Sequence, residues 1–154
     1  MPTGRKIAML MPTEKTQRRL EGVAKRFMLN INRDYDGREV SFFEFHLTLL
    51  YSQETDIDYP NVTMPLGHVL NLNGAVVTTL GNAVVLKTTK TPKLLQIRDN
   101  LIKNIGGTSP YDGFIPHVSL SYDPTDIDRF EEPVPFWYKR LQFDRIVVKN
   151  SDST

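Results

Sequence analysis

A short internal repeat restricts what this chain can fold into. The segments His46-Leu-Thr-Leu-Leu-Tyr51 and His117-Val-Ser-Leu-Ser-Tyr122 share a histidine, a hydroxyl residue, a leucine and a tyrosine at the same spacing. The two copies lie close to half of the 154-residue chain apart. Self-similarity at such a separation is typical of a duplicated structural unit. The repeat therefore predicts two similar halves, each of which contributes one copy of the motif.

The secondary-structure signals around the motifs are consistent with two similar halves. Thr13 and Thr91 can each cap a helix through the side-chain hydroxyl, and Gly106-Gly107 ends the second helix. The first helix has an apolar stripe of Leu20, Val23, Ala24, Phe27 and Met28, and the second has one of Leu94, Leu95, Ile97, Leu101, Ile102 and Ile105. Strands are predicted at about residues 7–11, 40–52, 67–79, 83–88, 114–122, 136–139 and 141–149.

The order of these elements is one strand, a helix, several strands, a second helix and several strands. This order predicts one α+β domain over residues 1–154, in which helices cover one side of antiparallel sheets. Hydrophobic residues make up 40% of the chain and charged residues 24%, which is the usual balance of a globular protein. The chain has no cysteine, which excludes disulfides and thiolate metal sites.

Residues two apart on a strand project to the same side. His46 therefore shares a face with Thr48, and His117 shares one with Ser119, while the leucine and the tyrosine of each motif are predicted to face the core. Pseudo-twofold packing of the two halves would then bring both His/hydroxyl pairs to a common cleft. His68, the third histidine, has no hydroxyl two residues later. We expect it to be a surface or hydrogen-bonded core histidine.

Two opposed imidazoles suit cleavage of a phosphodiester. One histidine can take a proton from the attacking oxygen while the other donates one to the leaving oxygen, because an unperturbed imidazole titrates near pH 6.5. Thr48 and Ser119 could stabilise the charge that develops on the phosphoryl oxygens. A single His-x-Thr segment would be uninformative. The hypothesis of a catalytic site depends on the presence of two matched segments. No carboxylates cluster with either motif, so we expect no metal and no cofactor.

The charge balance points to a small ligand. The formal net charge is +1, which favours a small anionic ligand or a short nucleic-acid end over a long duplex. No apolar run approaches the roughly 20 residues that span a bilayer, so no membrane partner is expected.

The paired motifs, His46-Leu-Thr-Leu49 and His117-Val-Ser-Leu120, resemble those of the two-histidine (2H) phosphoesterase superfamily. The opening strand, Pro12 and the next helix add to a resemblance that covers essentially the whole chain. It implies a bilobal, pseudo-twofold α+β fold and metal-independent chemistry, with catalytic roles for His46, Thr48, His117 and Ser119. Within the superfamily, the stretches Ile7–Thr13 and Phe45–Ser52 are most similar to the phage anti-CBASS nucleases. Those enzymes degrade cyclic di- and trinucleotide alarm signals, which implies action in the cytoplasm of an infected bacterium.

Two further residues could contact a nucleotide. Trp137 could stack on a base and Lys139 could bind a phosphate, although large aromatic residues more often pack in a core. The acidic stretch Asp123–Glu132 is predicted to be a solvated loop. Two alternatives to the cyclic-oligonucleotide hypothesis remain: an enzyme that opens 2′,3′-cyclic phosphates at short RNA ends, and a protein that binds nucleotides without turnover. The sequence indicates no obligate protein partner.

Overall fold

The computed structural model describes residues 4–29, 45–52, 56–81, 83–106, 114–122, 131–133 and 139–150. Two helices and seven strands occur in these ranges. In chain order they are β1 (Lys6–Pro12), α1 (Glu14–Arg26), β2 (Leu47–Tyr51), β3 (Val62–Leu80), β4 (Ala83–Thr88), α2 (Pro92–Ile105), β5 (His117–Ser121), β6 (Glu131–Pro133) and β7 (Arg140–Asn150).

The seven strands form one continuous sheet in the order β4-β5-β2-β1-β7-β3-β6, and every ladder among them is antiparallel. The long strand β3 pairs with β7 over residues 62–73 and with β4 over residues 74–80. β4 is the first strand of this order, so its additional pairing with β3 closes the sheet on itself. The predicted α+β class is confirmed, with a single closed sheet in place of separate sheets.

Side-chain caps begin both helices as the sequence predicts. The Thr13 hydroxyl accepts a hydrogen bond from the Thr16 amide at 3.2 Å, and the Thr91 hydroxyl accepts one from the Leu94 amide at 3.2 Å. Each bond satisfies an amide that has no partner within its own helix. At the other end of α2, Gly106 adopts the left-handed conformation at φ 83°, which a glycine reaches without steric cost.

Both helices pack against the same hydrophobic core as the strands do. A helix held this way gains most of its stability from the apolar face that it buries. The buried core residues include Leu20, Val23 and Ala24 of α1, Leu94, Leu101 and Ile105 of α2, and Ala8, Leu10, Leu47, Leu50, Leu86, Val118 and Phe143 of the strands.

Two matched β-bulges interrupt the strands that contain the motifs. Along β1 and β2, Ala8 pairs with Leu50 and Met9 with Thr48, which leaves Leu49 unpaired. Along β4 and β5, Val84 pairs with Ser121 and Val85 with Ser119, which leaves Leu120 unpaired. A bulge adds one residue to one strand, so the alternation of faces reverses after it.

This reversal corrects the predicted faces of the motifs. Leu50 and Ser121 turn toward the core and are 1% and 0% exposed. Tyr51 and Tyr122 turn toward the opposite face, where both are half-buried. The prediction that these tyrosines face the core was therefore wrong, because it extended strict period-two alternation across both bulges.

Other expectations differ from the structure in smaller ways. Met28 does not belong to the buried stripe of α1: the helix ends at Arg26, and Met28 is 87% exposed with φ 57°. Asp123–Glu132 was predicted to be a loop, but its last two residues, Glu131 and Glu132, belong to strand β6. His68 is exposed, in agreement with one of its two predicted placements. Residues 40–44, 123–130 and 136–138 lie outside the described residues.

Neither α1 nor α2 is long and apolar enough to cross a membrane, and no other helix occurs in the described ranges.

Candidate functional site

The two motifs meet through the pairing of strands β2 and β5. Leu47 and Val118, the second residue of each motif, are antiparallel partners. Because each step forward on one antiparallel strand is a step back on the other, Thr48 lies opposite His117 and His46 lies opposite Ser119. Directly opposed residues on such strands have Cβ atoms about 4.5–5.5 Å apart. The register thus juxtaposes each histidine with the hydroxyl residue of the other motif.

Burial alternates as this register requires. Phe45, Leu47 and Val118 are fully buried in the core. His46, Thr48, His117 and Ser119 are half-buried, on the face that is turned away from this core. The hydrophobic residues are buried in the core, and the polar residues between them remain partly exposed on the opposite face.

A cavity of about 520 Å³ opens on this face. Small-molecule sites commonly occupy about 300–1,000 Å³. Thr48, His117 and Ser119 line it, whereas His46 is placed beside Ser119 by the register and is not among the lining residues. The full lining is Ile7, Thr48, Leu49, Leu50, Tyr51, Leu80, Gly81, Ala83, Val85, Arg98, Phe114, Ile115, His117, Ser119 and Tyr122.

A hydrogen bond to a carbonyl of its own segment orients His117. Its Nδ1 atom lies 2.7 Å from the Ile115 carbonyl oxygen. A carbonyl can only accept, so Nδ1 carries the proton and donates it. Nε2 is consequently the ring atom that is available to exchange a proton with a ligand. This arrangement suits an acid–base catalyst, because the second ring nitrogen fixes both the tautomer and the orientation.

Lys87 of β4 is the cross-strand partner of His117. The neighbouring Thr88 amide donates to the Pro116 carbonyl at 3.0 Å, which makes Thr88 and Pro116 a hydrogen-bonded pair. The next pair, Lys87 and His117, is then a non-hydrogen-bonded pair, the type in which side chains approach most closely. Lys87 is half-buried on the motif face. Sequence reasoning missed this residue because nothing local marks which strand will lie beside His117.

Arg98 of α2 brings a positive charge to the cavity. Its Nε donates to the Leu49 carbonyl at 2.9 Å, and its Cζ lies 4.7 Å from the centroid of the Phe114 ring. Both neighbours also line the cavity. Sequence reasoning missed Arg98, because a polar residue beside Ile97 on a helix between the motifs carries no local sign of a functional role.

Tyr51 and Tyr122 are aromatic residues of the cavity that were predicted to lie in the core. Both line the cavity, as the matched bulges require. The signal for them was present, since the tyrosine repeats with the histidine and the hydroxyl residue in both motifs. It was interpreted as part of the core pattern.

Of the two predicted nucleotide contacts, only Lys139 belongs to the described residues, and it is placed away from this cavity. Lys139 is exposed, its carbonyl accepts a hydrogen bond from the Gly74 amide at 2.7 Å, and it does not line the cavity. Trp137 lies outside the described residues. Within the described ranges, no three histidine, aspartate or glutamate side chains gather in a way that could hold a metal ion.

Comparison with known proteins identifies the family. The family model described as anti-CBASS protein Acb1 matches residues 10–148, which include both motifs. The chain belongs to the Acb1 family. An anti-CBASS protein Acb1 of Vibrio phage KVP40 is 36% identical to it over 80 residues, which make up 52% of this chain and 52% of the phage protein. The aligned segment therefore spans about half the length of this Acb1 relative.

A solved structure supports the fold. A crystal structure of a phosphoesterase superposes with a TM-score of 0.56 and covers 94% of this chain and 86% of that chain, at 16% sequence identity. At this level of identity the similarity concerns the fold alone. The predicted resemblance to the phage anti-CBASS proteins is confirmed by the family match, which covers most of the chain.

Proposed function

We propose that this chain is a metal-independent phosphodiesterase that cleaves 3′–5′ phosphodiester bonds of cyclic oligonucleotides. One observation carries the proposal: the β2–β5 register sets two His/hydroxyl pairs against each other, and three of these four residues line a cavity of ligand size. Membership in a family named for opposing CBASS supports the biological part of the proposal. The enzyme would act inside an infected bacterium by destroying the cyclic nucleotide signal. The matched bulges support, in addition, a pseudo-twofold relation between two lobes.

The chemistry proceeds by internal attack. One histidine removes the proton from a ribose 2′-hydroxyl, and the 2′-oxygen forms a bond to the adjacent phosphorus. The bond from phosphorus to the 5′-oxygen breaks, and the other histidine donates a proton to that oxygen. The products carry a 2′,3′-cyclic phosphate at one end and a 5′-hydroxyl at the other. The number of protons is conserved, and the step requires no metal.

The catalytic residues in this scheme are His46, Thr48, His117 and Ser119. His117 exchanges its proton at Nε2, since Nδ1 is held by the Ile115 carbonyl. The Thr48 and Ser119 hydroxyls donate to the non-bridging oxygens as negative charge develops there. Each hydroxyl lies across the β2–β5 ladder from the histidine of the other motif, so the two pairs can flank one phosphate.

The test is incubation of the purified protein with 3′,3′-cyclic GMP–AMP in excess EDTA, followed by chromatography and mass analysis of the products. His46→Ala and His117→Ala should each lower the rate by about 10²–10⁴-fold, the usual contribution of a general acid or base. His68→Ala is the matched control, because His68 is exposed and belongs to neither motif. It should cleave at the wild-type rate.

Four outcomes would contradict parts of the proposal. Loss of activity in EDTA would overturn metal independence, and rapid cleavage of the 2′-deoxy analogue would overturn internal attack. An intact cyclic dinucleotide would redirect the assay to cyclic trinucleotides and to RNA ends that carry a 2′,3′-cyclic phosphate. Tight binding of all these ligands without any turnover would favour a binding protein.

A further inference from the structure

Arg98 is anchored at the cavity by two contacts. Its Nε donates to the carbonyl of Leu49 at 2.9 Å, and the centre of its guanidinium lies 4.7 Å from the centroid of the Phe114 ring. The residue is half-buried. Contact with an aromatic face and a hydrogen bond from Nε together restrict both the position and the plane of the guanidinium.

The first anchor depends on the bulge in the His46 motif. Leu49 is the residue that the β1–β2 ladder leaves unpaired. A bulge leaves the extra residue outside the regular hydrogen-bonding pattern, so its carbonyl can accept from a side chain. Arg98 makes use of that carbonyl, and α2 is thereby tied to the strand that carries Thr48.

The remaining donors of Arg98 have no partner among the described residues. A guanidinium has five N–H groups, and the contact with Leu49 uses the one on Nε. Neither of the ion pairs between described residues includes Arg98; they join Arg18 to Glu14 and Arg145 to Asp144. The structure therefore assigns the four N–H groups on the two Nη atoms no acceptor within the described ranges.

The surroundings make an anion the favoured ligand. The cavity lining is mostly apolar, and Arg98 is its one permanently charged residue among those described. A positive charge that is partly removed from water without a counter-ion is costly, and a bound anion relieves that cost. The two Nη groups present parallel donors that match two oxygens of a phosphate.

We propose that Arg98 binds a second phosphate of the substrate, distinct from the one that is cleaved. This inference rests on the proposed function and deepens it. The cleaved phosphate is served by groups of the β2–β5 ladder, whereas Arg98 enters from α2 and is held at Leu49 and Phe114. Cyclic oligonucleotides carry at least two phosphates, and a linear dinucleoside monophosphate carries one. Arg98 thus selects for substrates with more than one phosphate.

The test compares two substrates with the same bases: 3′,3′-cyclic GMP–AMP and the linear dinucleotide GpA. Arg98→Gln removes the charge and the paired donors, and should lower kcat/KM for the cyclic substrate by about 10- to 100-fold, as expected for loss of a charged hydrogen bond. The value for GpA should change by less than about threefold, within the range of an indirect effect. Lys103→Gln is the matched control, because it removes one positive charge from an exposed position of the same helix. It should leave both values unchanged.

Equal losses on both substrates would overturn the proposal, since Arg98 would then act at the cleaved phosphate or through the fold. No loss on the cyclic substrate would overturn it as well. Thermal unfolding checks the fold of the variant. If Arg98→Gln unfolds, Arg98→Lys can replace it, because lysine keeps the positive charge but lacks the paired N–H donors. Arg98→Lys should show a smaller loss of kcat/KM, again confined to the cyclic substrate.

A binding measurement separates this inference from the proposed function. His117→Ala protein is titrated calorimetrically with intact 3′,3′-cyclic GMP–AMP, with and without Arg98→Gln. The Arg98→Gln change should raise Kd by about 10- to 100-fold and reduce the salt dependence of log Kd by about one unit. If the wild type cleaves neither substrate while this difference in binding holds, the proposed activity fails and the anion site stands. If Kd and its salt dependence do not change, the anion site fails whatever the activity.

Discussion

Leu49 and Leu120 occupy equivalent places in the structure: each is the unpaired residue of a β-bulge and each lies three residues after a motif histidine. The two bulges have the same effect on the next two residues of their strands. Leu50 and Ser121 turn into the core, and Tyr51 and Tyr122 turn to the cavity. In both copies of the repeated motif, the tyrosine therefore lines the cavity together with the hydroxyl residue.

The two tyrosines should contribute to ligand binding through their rings. We expect Tyr51→Leu and Tyr122→Leu each to raise KM for 3′,3′-cyclic GMP–AMP by about 5- to 100-fold, because stacking on an aromatic ring is worth roughly 1–3 kcal/mol per base. Tyr51→Phe and Tyr122→Phe retain the ring and should stay within about threefold of wild type. Steady-state kinetics would check this, and equal losses for the Phe and Leu variants would argue against a stacking role.

Leu50 tests the bulge itself. A strictly alternating strand would place Leu50 on the half-exposed face with Thr48, whereas Leu50 is 1% exposed and belongs to the hydrophobic core, from which it also borders the cavity. Leu50→Ala should therefore lower the free energy of unfolding by about 2–5 kcal/mol, the usual cost of emptying a buried leucine site. Urea denaturation measures this change. Val69→Ala is the control at a 43% exposed position, where a change within about 0.5 kcal/mol is expected. A Leu50→Ala variant as stable as this control would contradict the bulged register.

The two motif hydroxyls should act mainly on the chemical step. We expect Thr48→Val and Ser119→Ala each to lower kcat by about 10²–10³-fold with a smaller change in KM, because donors of this kind stabilise charge that develops in the transition state. Thr48→Ser keeps the hydroxyl and should retain most of the activity. A Thr48→Val variant with wild-type kcat and a raised KM would assign this hydroxyl to ground-state binding.

Thr13 offers a test of stability away from the cavity. Its hydroxyl accepts from the Thr16 amide at the start of α1, and Thr13→Ala leaves that amide without its partner. The free energy of unfolding should fall by about 1 kcal/mol, while Thr13→Ser should preserve it. Thr91→Ala should have a similar effect at the start of α2, where the same bond reaches Leu94. Chemical denaturation of these variants would decide, and equal stability of Thr13→Ala and Thr13→Ser would refute the cap.

Much of the local structure could be predicted because its causes are local. Thr13 and Thr91 cap helices through bonds that span three residues, and Gly106 ends a helix at a conformation that favours glycine. The strand at Leu47–Tyr51 and its partner at His117–Ser121 follow from alternating side chains within a few residues. The helix end at Arg26 was missed because Met28 continues the apolar spacing even after the backbone has left the helix.

The repeated motif was sufficient to select the four proposed catalytic residues, and the stretches Ile7–Thr13 and Phe45–Ser52 were sufficient to predict the anti-CBASS family. That information lies in the order of residues, since a duplicated pattern is visible without coordinates. The neighbours of those residues could not be found in the same way. Lys87 lies beside His117, and Arg98 reaches the Leu49 carbonyl, only because distant segments pair and pack. Register, bulges and the approach of a helix are set by long-range packing, so the tertiary structure alone decided that Tyr51, Tyr122 and Arg98 line the cavity and that Lys87 lies beside His117.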